Sequence, residues 1–93
     1  MIILPGIGDV SRREADDYCT ILSTLSALGR TEGELIKRIL DVDGVGSDRF
    51  IEYMEKLRDK GYVATSGFGS EDGFEITREG EKLLERLSLE FIK

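Results

Sequence analysis

The sequence contains no histidine, and its 93 residues include a single cysteine, Cys19. Without histidine the chain has no imidazole for general base catalysis, for a catalytic triad or for a histidine-ligated metal. One cysteine cannot form an internal disulfide or hold zinc in a cysteine cluster, and a low thiol count is typical of the reducing cytosol. We therefore expect a cytoplasmic protein that is not an enzyme and needs no cofactor.

The chain also lacks a basic excess and a long apolar segment. Its 13 Lys and Arg residues are outnumbered by 19 Asp and Glu residues, and the net charge is -6. A nucleic-acid partner would therefore need a local basic patch. The apolar opening MIILPGIGDV has no basic first segment and is interrupted by Pro5, which makes it too short for a signal peptide or a membrane span. No membrane contact is expected.

The length allows one domain with a small core. An apolar content of 40% and a charged content of 34% are ordinary for a globular protein. We predict an N-terminal arm over residues 1–10 and one folded domain over residues 11–93. Four apolar residues of the arm are expected to cover apolar surface on this subunit or on a partner: Ile2, Ile3, Leu4 and Ile7.

Two capping boxes predict the first two helices. Ser11 is followed three residues later by Glu14, ahead of a helical apolar stripe, and predicts a helix over residues 12–28. Thr31 and Glu34 repeat the same spacing and predict a second helix. The apolar residues of that helix are Leu35, Ile36, Ile39 and Leu40.

Turn residues at 43–46 (DGVG) precede Ser47, a favourable N-cap for a third helix that is predicted to end near Lys60. Short β-type segments follow at residues 62–65 and 74–77, around a glycine-rich loop, and predict a hairpin. A last helix is predicted after the hairpin. Its apolar arc comprises Gly80, Leu83, Leu84, Leu87 and Phe91.

Residues 41–52 (DVDGVGSDRFIE) also align with an EF-hand calcium loop. Four residues stand at suitable positions of that loop: Asp41, Asp43, Gly46 and Glu52. The fifth position should offer a side-chain oxygen and is Val45, which leaves a calcium ion short of ligands. A single degenerate calcium loop is therefore a weaker alternative to a turn between two helices.

Two segments carry a resemblance to winged helix-turn-helix proteins. They are MEKLRDKGYV at residues 54–63 and FEITREGEKLL at residues 74–84. The residues that match the signature of that family are Leu57, Gly61, Tyr62, Thr77, Gly80, Leu83 and Leu84. Over residues 12–91 the chain resembles the small archaeal and bacterial transcriptional regulators of this family. The resemblance implies an α+β, mainly helical fold with a three-helix bundle, a two-stranded wing and a C-terminal helix.

Three residues of this signature have a physical role that we can predict. Gly61 is expected to end the third helix in a left-handed conformation, and Gly80 to let the last helix approach the body of the domain closely. Thr77 is expected to cap the last helix. The calcium-like segment is then best interpreted as the turn between the second helix and the third, which is the recognition helix.

The recognition helix is predicted to have three faces. The core face contains Phe50, Met54 and Leu57. We define the basic flank as Arg49, Tyr53, Lys56 and Lys60; together with Ser47, these are the candidate DNA-binding residues. We define the acidic front, which lies opposite the core, as Asp48, Glu52, Glu55 and Asp59.

The resemblance implies a DNA-binding regulator, and double-stranded DNA is the first candidate partner. Other basic residues could assist the basic flank: Arg12, Arg13, Arg30 and Lys37. The wing region, residues 61–77, departs from the family because it has no Lys or Arg and contains Glu71, Asp72 and Glu75. The alternative is a protein-interaction module whose acidic front and wing-tip Phe68 dock on a basic protein. In that case the protein would not bind DNA.

A homodimer is expected through the first and last helices. Leu89 and Ile92 fall outside the core arc of the last helix, and a helix with apolar residues on two sides often pairs with a second copy. Cys19 is expected near that interface.

Overall fold

The architecture is taken from a computed structural model, which describes residues 2–4, 6–42, 44–66 and 73–91. Helices and short strands alternate along the chain. In order they are β1 (Ile2–Leu4), β2 (Gly8–Val10), α1 (Arg12–Leu28), β3 (Thr31–Glu32), α2 (Gly33–Val42), α3 (Ser47–Asp59), β4 (Val63–Ser66), β5 (Gly73–Ile76) and α4 (Arg78–Phe91). The fold is α+β and mainly helical, and three helices, a two-stranded wing and a C-terminal helix follow one another as predicted.

The first helix, α1, has the predicted bounds and the predicted capping box. The backbone N–H of Glu14 donates to Ser11 Oγ at 3.1 Å, and the backbone N–H of Ser11 donates to Glu14 Oε1 at 3.2 Å. These two bonds satisfy donors that the start of a helix otherwise leaves unpaired. α1 therefore begins where the sequence places it.

The second capping box does not form. Thr31 belongs to strand β3, pairs with Phe74 of β5, and donates its hydroxyl to the carbonyl of Gly29 at 2.9 Å. Because Thr31 is paired in β3 and α2 begins only at Gly33, Thr31 lies one position too early to be the N-cap of α2. β3 completes a three-stranded sheet of order β3-β5-β4. This strand was not predicted from the sequence.

The predicted N-cap of α3 is wrong by one residue. Gly46 occupies the N-cap position with extended backbone and no side-chain cap bond, and Ser47 is the first helical residue. Val45, in the turn before α3, is only 3% exposed, and its N–H donates to the carbonyl of Leu40 at 3.1 Å. The calcium-like segment is thus divided between α2, a turn that inserts Val45 into the core, and α3.

The alternative of a calcium site depends on Asp43, which lies outside the described residues. Among the residues that are described, no three acidic or cysteine side chains come together as a metal site requires.

The wing and α4 are joined as the signature residues predict. Gly61 ends the α3 region with φ +78°, and Thr77 donates its hydroxyl to the Gly61 carbonyl at 2.6 Å. Thr77 Oγ1 also accepts from the N–H of Gly80 at 3.0 Å and so caps α4. A Cβ on Gly80 would clash with the Tyr62 carbonyl oxygen and lie 2.8 Å from Ile76 Cγ1. Only glycine permits α4 to start this close to the strands.

The predicted N-terminal arm is a β-hairpin that contributes to the core. β1 and β2 pair antiparallel, with Leu4 opposite Gly8. Leu4 and Val10 are buried at 1% and 4% exposure, and Ile7 packs partly buried against the core, while Ile3 is 67% exposed. The expectation that the arm covers apolar surface is confirmed for Leu4 and Ile7, and its strands were not predicted.

α1 runs through the centre of the domain and contacts α2, α4, β2 and β5. Its inward residues are fully buried: Ala15, Tyr18, Ile21, Leu22 and Leu25. Within the described ranges, no helix combines the length and apolarity needed to span a bilayer.

Candidate nucleic-acid interface

Helix α3 packs one face into the core and leaves the rest of its surface exposed. Phe50, Met54 and Leu57 are buried, as predicted, at 8%, 4% and 0% exposure. Tyr53 joins them at 3% exposure. The four residues have the spacing of one helical face, which fixes where the other faces of α3 lie.

The prediction that Tyr53 lies on an exposed flank is wrong. Its hydroxyl donates to Asp17 Oδ2 of α1 at 2.7 Å, and its ring meets the ring of Tyr18 edge to face with centroids 4.8 Å apart. Burial is the largest cause that raises the pKa of the Tyr53 phenol, and the hydrogen bond to Asp17 and the charge of Asp17 raise it further. A phenol held in this way has no free donor for a phosphate or a base.

The remaining members of the basic flank are exposed. Arg49 lies near the start of α3, and Lys56 pairs with Glu52 at 3.4 Å, with side chains 48% and 63% exposed. Exposed pairs of this kind are weak, so Lys56 can exchange Glu52 for a phosphate at little cost. Lys60 lies next to the N-terminal hairpin, since a Cβ on Gly6 would lie 3.4 Å from Lys60 Cδ. The side chain of Ser47 lies outside the described side chains.

The acidic front is placed as predicted. All four of its residues are exposed: Asp48, Glu52, Glu55 and Asp59. Since the buried face is centred between Phe50 and Leu57, the helical period places these carboxylates on the opposite side. A duplex that approached α3 head-on would therefore meet negative charge.

An open groove of about 190 Å³ separates α3 from β5. Its lining residues are Phe50, Ile51, Met54, Glu55, Arg58 and Phe74. Arg58 is a cation that was not among the predicted site residues. The helical period could have predicted this position, because Arg58 lies seven residues after Ile51 and therefore on the same side of the helix.

Two of the predicted helper residues lie beside the helix-turn-helix and the wing. Arg13, at the start of α1, approaches the turn before α3, because its Nη2 would lie 3.9 Å from a Cβ on Gly44. Arg30, just after α1, lies against Gly73 at the start of β5. Arg12 is exposed on α1 and Lys37 half-buried on α2.

The tip of the wing lies outside the described residues, and with it the predicted contact residue Phe68 and the acidic Glu71 and Asp72. Glu75 of β5 is exposed. The described part of the wing, Val63–Ser66 and Gly73–Ile76, contains no Lys or Arg.

Comparison with known proteins places this geometry in a fold group. No protein-family description and no curated protein matches the sequence. A solved structure of RosR from H. salinarum, grown from NaBr, is similar with a TM-score of 0.70 and 25% identity over 89% of this chain and 74% of RosR. The fold is a winged helix.

A second solved structure is also similar to this chain. The complex structure of hsRosR-S1 is similar with a TM-score of 0.65 and 27% identity, over 84% of this chain and 75% of the other. Both similarities cover most of the chain, and the predicted winged-helix architecture is confirmed.

Proposed function

We propose that this winged-helix protein binds double-stranded DNA as a homodimer and regulates transcription. The observation that carries the proposal is the position of α3. Its buried face packs on the core, its outer surface is exposed beside the wing, and the whole arrangement is similar to RosR over most of the chain. In winged-helix and helix-turn-helix proteins the helix in this position enters the major groove. In this role the protein acts in the cytoplasm and catalyses no reaction.

The charges on α3 favour an approach through the basic flank. Arg49 lies in the first turn of α3, where the helix dipole adds to its positive charge, and Arg13 extends toward the preceding turn. Lys56 continues this surface along the helix. The acidic front then faces the groove obliquely, where a carboxylate such as Glu52 can accept a hydrogen bond from a cytosine amine.

The experiment is fluorescence anisotropy of a labelled random duplex at about 50 mM salt, where electrostatic binding is strong. We expect wild type to bind in the micromolar range and to weaken as salt is added. The double variant Arg49→Ala with Lys56→Ala should bind at least tenfold more weakly, and its log–log salt slope should be smaller by about four, because each of the two subunits loses two phosphate contacts.

The matched control is Lys82→Ala with Arg86→Ala. It removes the same charge from α4, where both residues line a different surface pocket beside Tyr62. If the two double variants lost the same affinity, the basic flank would have no special role. If wild type showed no binding at all, the DNA proposal would fail.

One observation favours a second candidate function. The acidic front borders the groove beside β5, where Ile51 is 53% exposed. Apolar surface next to carboxylates suits a basic, partly apolar segment of another protein. This reading predicts no DNA retardation at low salt and a stable complex with a basic protein that Glu55→Lys disrupts.

A further inference from the structure

The wing contains no Lys or Arg between residues 61 and 77, yet a cation lies on its sheet. A Cβ built on Gly73 would lie 2.6 Å from both Cζ and Nε of Arg30 and 2.8 Å from Nη2. Three guanidinium atoms this close to one point mean that the guanidinium of Arg30 lies directly over the backbone of Gly73. The absence of a side chain at Gly73 is what makes room for it.

Gly73 is the residue at which the wing loop returns to the sheet. It is the first residue of β5, the central strand, and it pairs with Ser66 of β4 on one side and Glu32 of β3 on the other. Arg30 immediately precedes β3, so its side chain crosses from the edge of the sheet to the central strand. The guanidinium is therefore held at the end of the sheet from which the wing projects.

The strand alternation shows which face of the sheet Arg30 occupies. Thr31 is 3% exposed, and its partner Phe74 packs against the core, so these two residues mark the inner face. Their neighbours Glu32 and Gly73 belong to the outer face, and Arg30 covers Gly73 on that face. Glu75 also lies there, two residues beyond Gly73.

We propose that Arg30 is the phosphate-binding residue of the wing and that Gly73 positions it. The inference rests on the DNA-binding function proposed above and names the group that the wing offers to the duplex. The planar guanidinium fork matches a phosphate, and packing on the backbone of Gly73 restricts its conformers before DNA arrives. A side chain from the turn between α1 and β3 thus supplies the cation that the wing segment itself does not contain.

Gly73→Ala tests the position of the Arg30 guanidinium without changing its charge. The new methyl group would displace the guanidinium, which is the far end of a flexible side chain, so the domain should fold with little loss of stability. The net charge stays the same. Arg30→Ala removes the charge, and Lys82→Ala, on the exposed surface of α4, is the control for loss of one positive charge.

The test is duplex anisotropy between about 50 and 200 mM salt for wild type, the three single variants and Arg30→Ala with Gly73→Ala. We expect Arg30→Ala to reduce the salt slope by about two, one for each subunit of the dimer, and to weaken binding severalfold on every duplex sequence. Gly73→Ala should also weaken binding, and it should have no further effect once Arg30 is absent. Lys82→Ala should leave the slope close to that of wild type. Melting temperatures establish that each variant is folded.

The outcomes distinguish the two proposals. If wild type binds and Arg30→Ala keeps the wild-type slope, Arg30 only balances the nearby Glu32 and Glu75, and the inference fails while the DNA function stands. If the effects of Gly73→Ala and Arg30→Ala add, Gly73 does not act through Arg30, and that part of the inference is overturned. If wild type does not bind, both proposals fall.

Discussion

The hydroxyl of Tyr53 donates to the carboxylate of Asp17 at 2.7 Å and so joins helix α3 to the central helix α1. Both residues are buried, at 3% and 5% exposure. Tyr18 packs edge-on against the Tyr53 ring, and its own buried hydroxyl has no hydrogen-bond partner among the described residues. Two neighbouring phenols in one core therefore have opposite hydrogen-bonding states, and this difference can be measured.

Tyr53→Phe should lower the free energy of unfolding by about 1–3 kcal/mol, because the Asp17 carboxylate would stay buried and lose its donor. Tyr18→Phe is the matched control. It removes a hydroxyl that makes no bond, so stability should be unchanged or slightly higher. Urea denaturation followed by circular dichroism near neutral pH measures both. Equal losses in the two variants would contradict the hydrogen-bonding pattern described here.

Alkaline pH should destabilise the protein through the same tyrosines. Burial, together with the charges of Glu14 and Glu52, raises the pKa of Tyr18 to about 12, and the pKa values of Tyr53 and Tyr62 are also raised, mainly by burial. An unfolded phenol ionises near pH 10. Below that pH both states hold the proton and the stabilisation is fully present. Above it the unfolded state loses protons first, so stability falls until the pH passes the folded pKa.

For Tyr18 the affected range is therefore from about pH 10 to about pH 12. Over this range the free energy of unfolding should fall by up to about 1.4 kcal/mol per pH unit for each such tyrosine. Tyr18→Phe, which should fold normally, ought to show a shallower fall. A slope identical to that of wild type would mean that Tyr18 does not contribute.

Much of the fold was predictable from local signals. The capping box of Ser11, the left-handed Gly61 and the close packing at Gly80 depend on neighbouring residues or on one short contact, and each is confirmed. β3 was missed because it is a two-residue strand that owes its conformation to pairing with β5 and has no periodic pattern of its own. The same pairing removed Thr31 from the capping box that its spacing suggested.

The site was less predictable because it depends on distant partners. Tyr53 was assigned to the basic flank because the helical period places it in one stripe with Arg49, Lys56 and Lys60. Its burial is decided by Asp17, which is 36 residues away in the sequence. The contact between Arg30 and Gly73 likewise follows from strand pairing. By contrast, the acidic front follows from the helical period alone, and its exposure is confirmed.

Leu89 gives the test of the proposed homodimer. It is 67% exposed on α4, away from the buried Leu83 and Leu87, whereas Ile92, predicted to accompany it, lies outside the described residues. Cys19 of α1 is half-buried, and α1 and α4 already pack against each other within one chain. A second copy that packed on these two helices would remove Leu89 from water, which stabilises association.

We therefore expect wild type to have the mass of two chains in light scattering at about 100 μM, a concentration at which a dimer with a micromolar dissociation constant is almost fully formed. Leu89→Lys should shift the mass toward one chain, because a dimer would have to bury the new charge without a partner. Val42→Lys is the control. Val42 is 87% exposed at the end of α2 and belongs to neither of the two helices proposed to form the interface, so its replacement should leave the dimer intact. A dimer that persists in Leu89→Lys would place the interface elsewhere, and a wild-type mass of one chain would refute the homodimer.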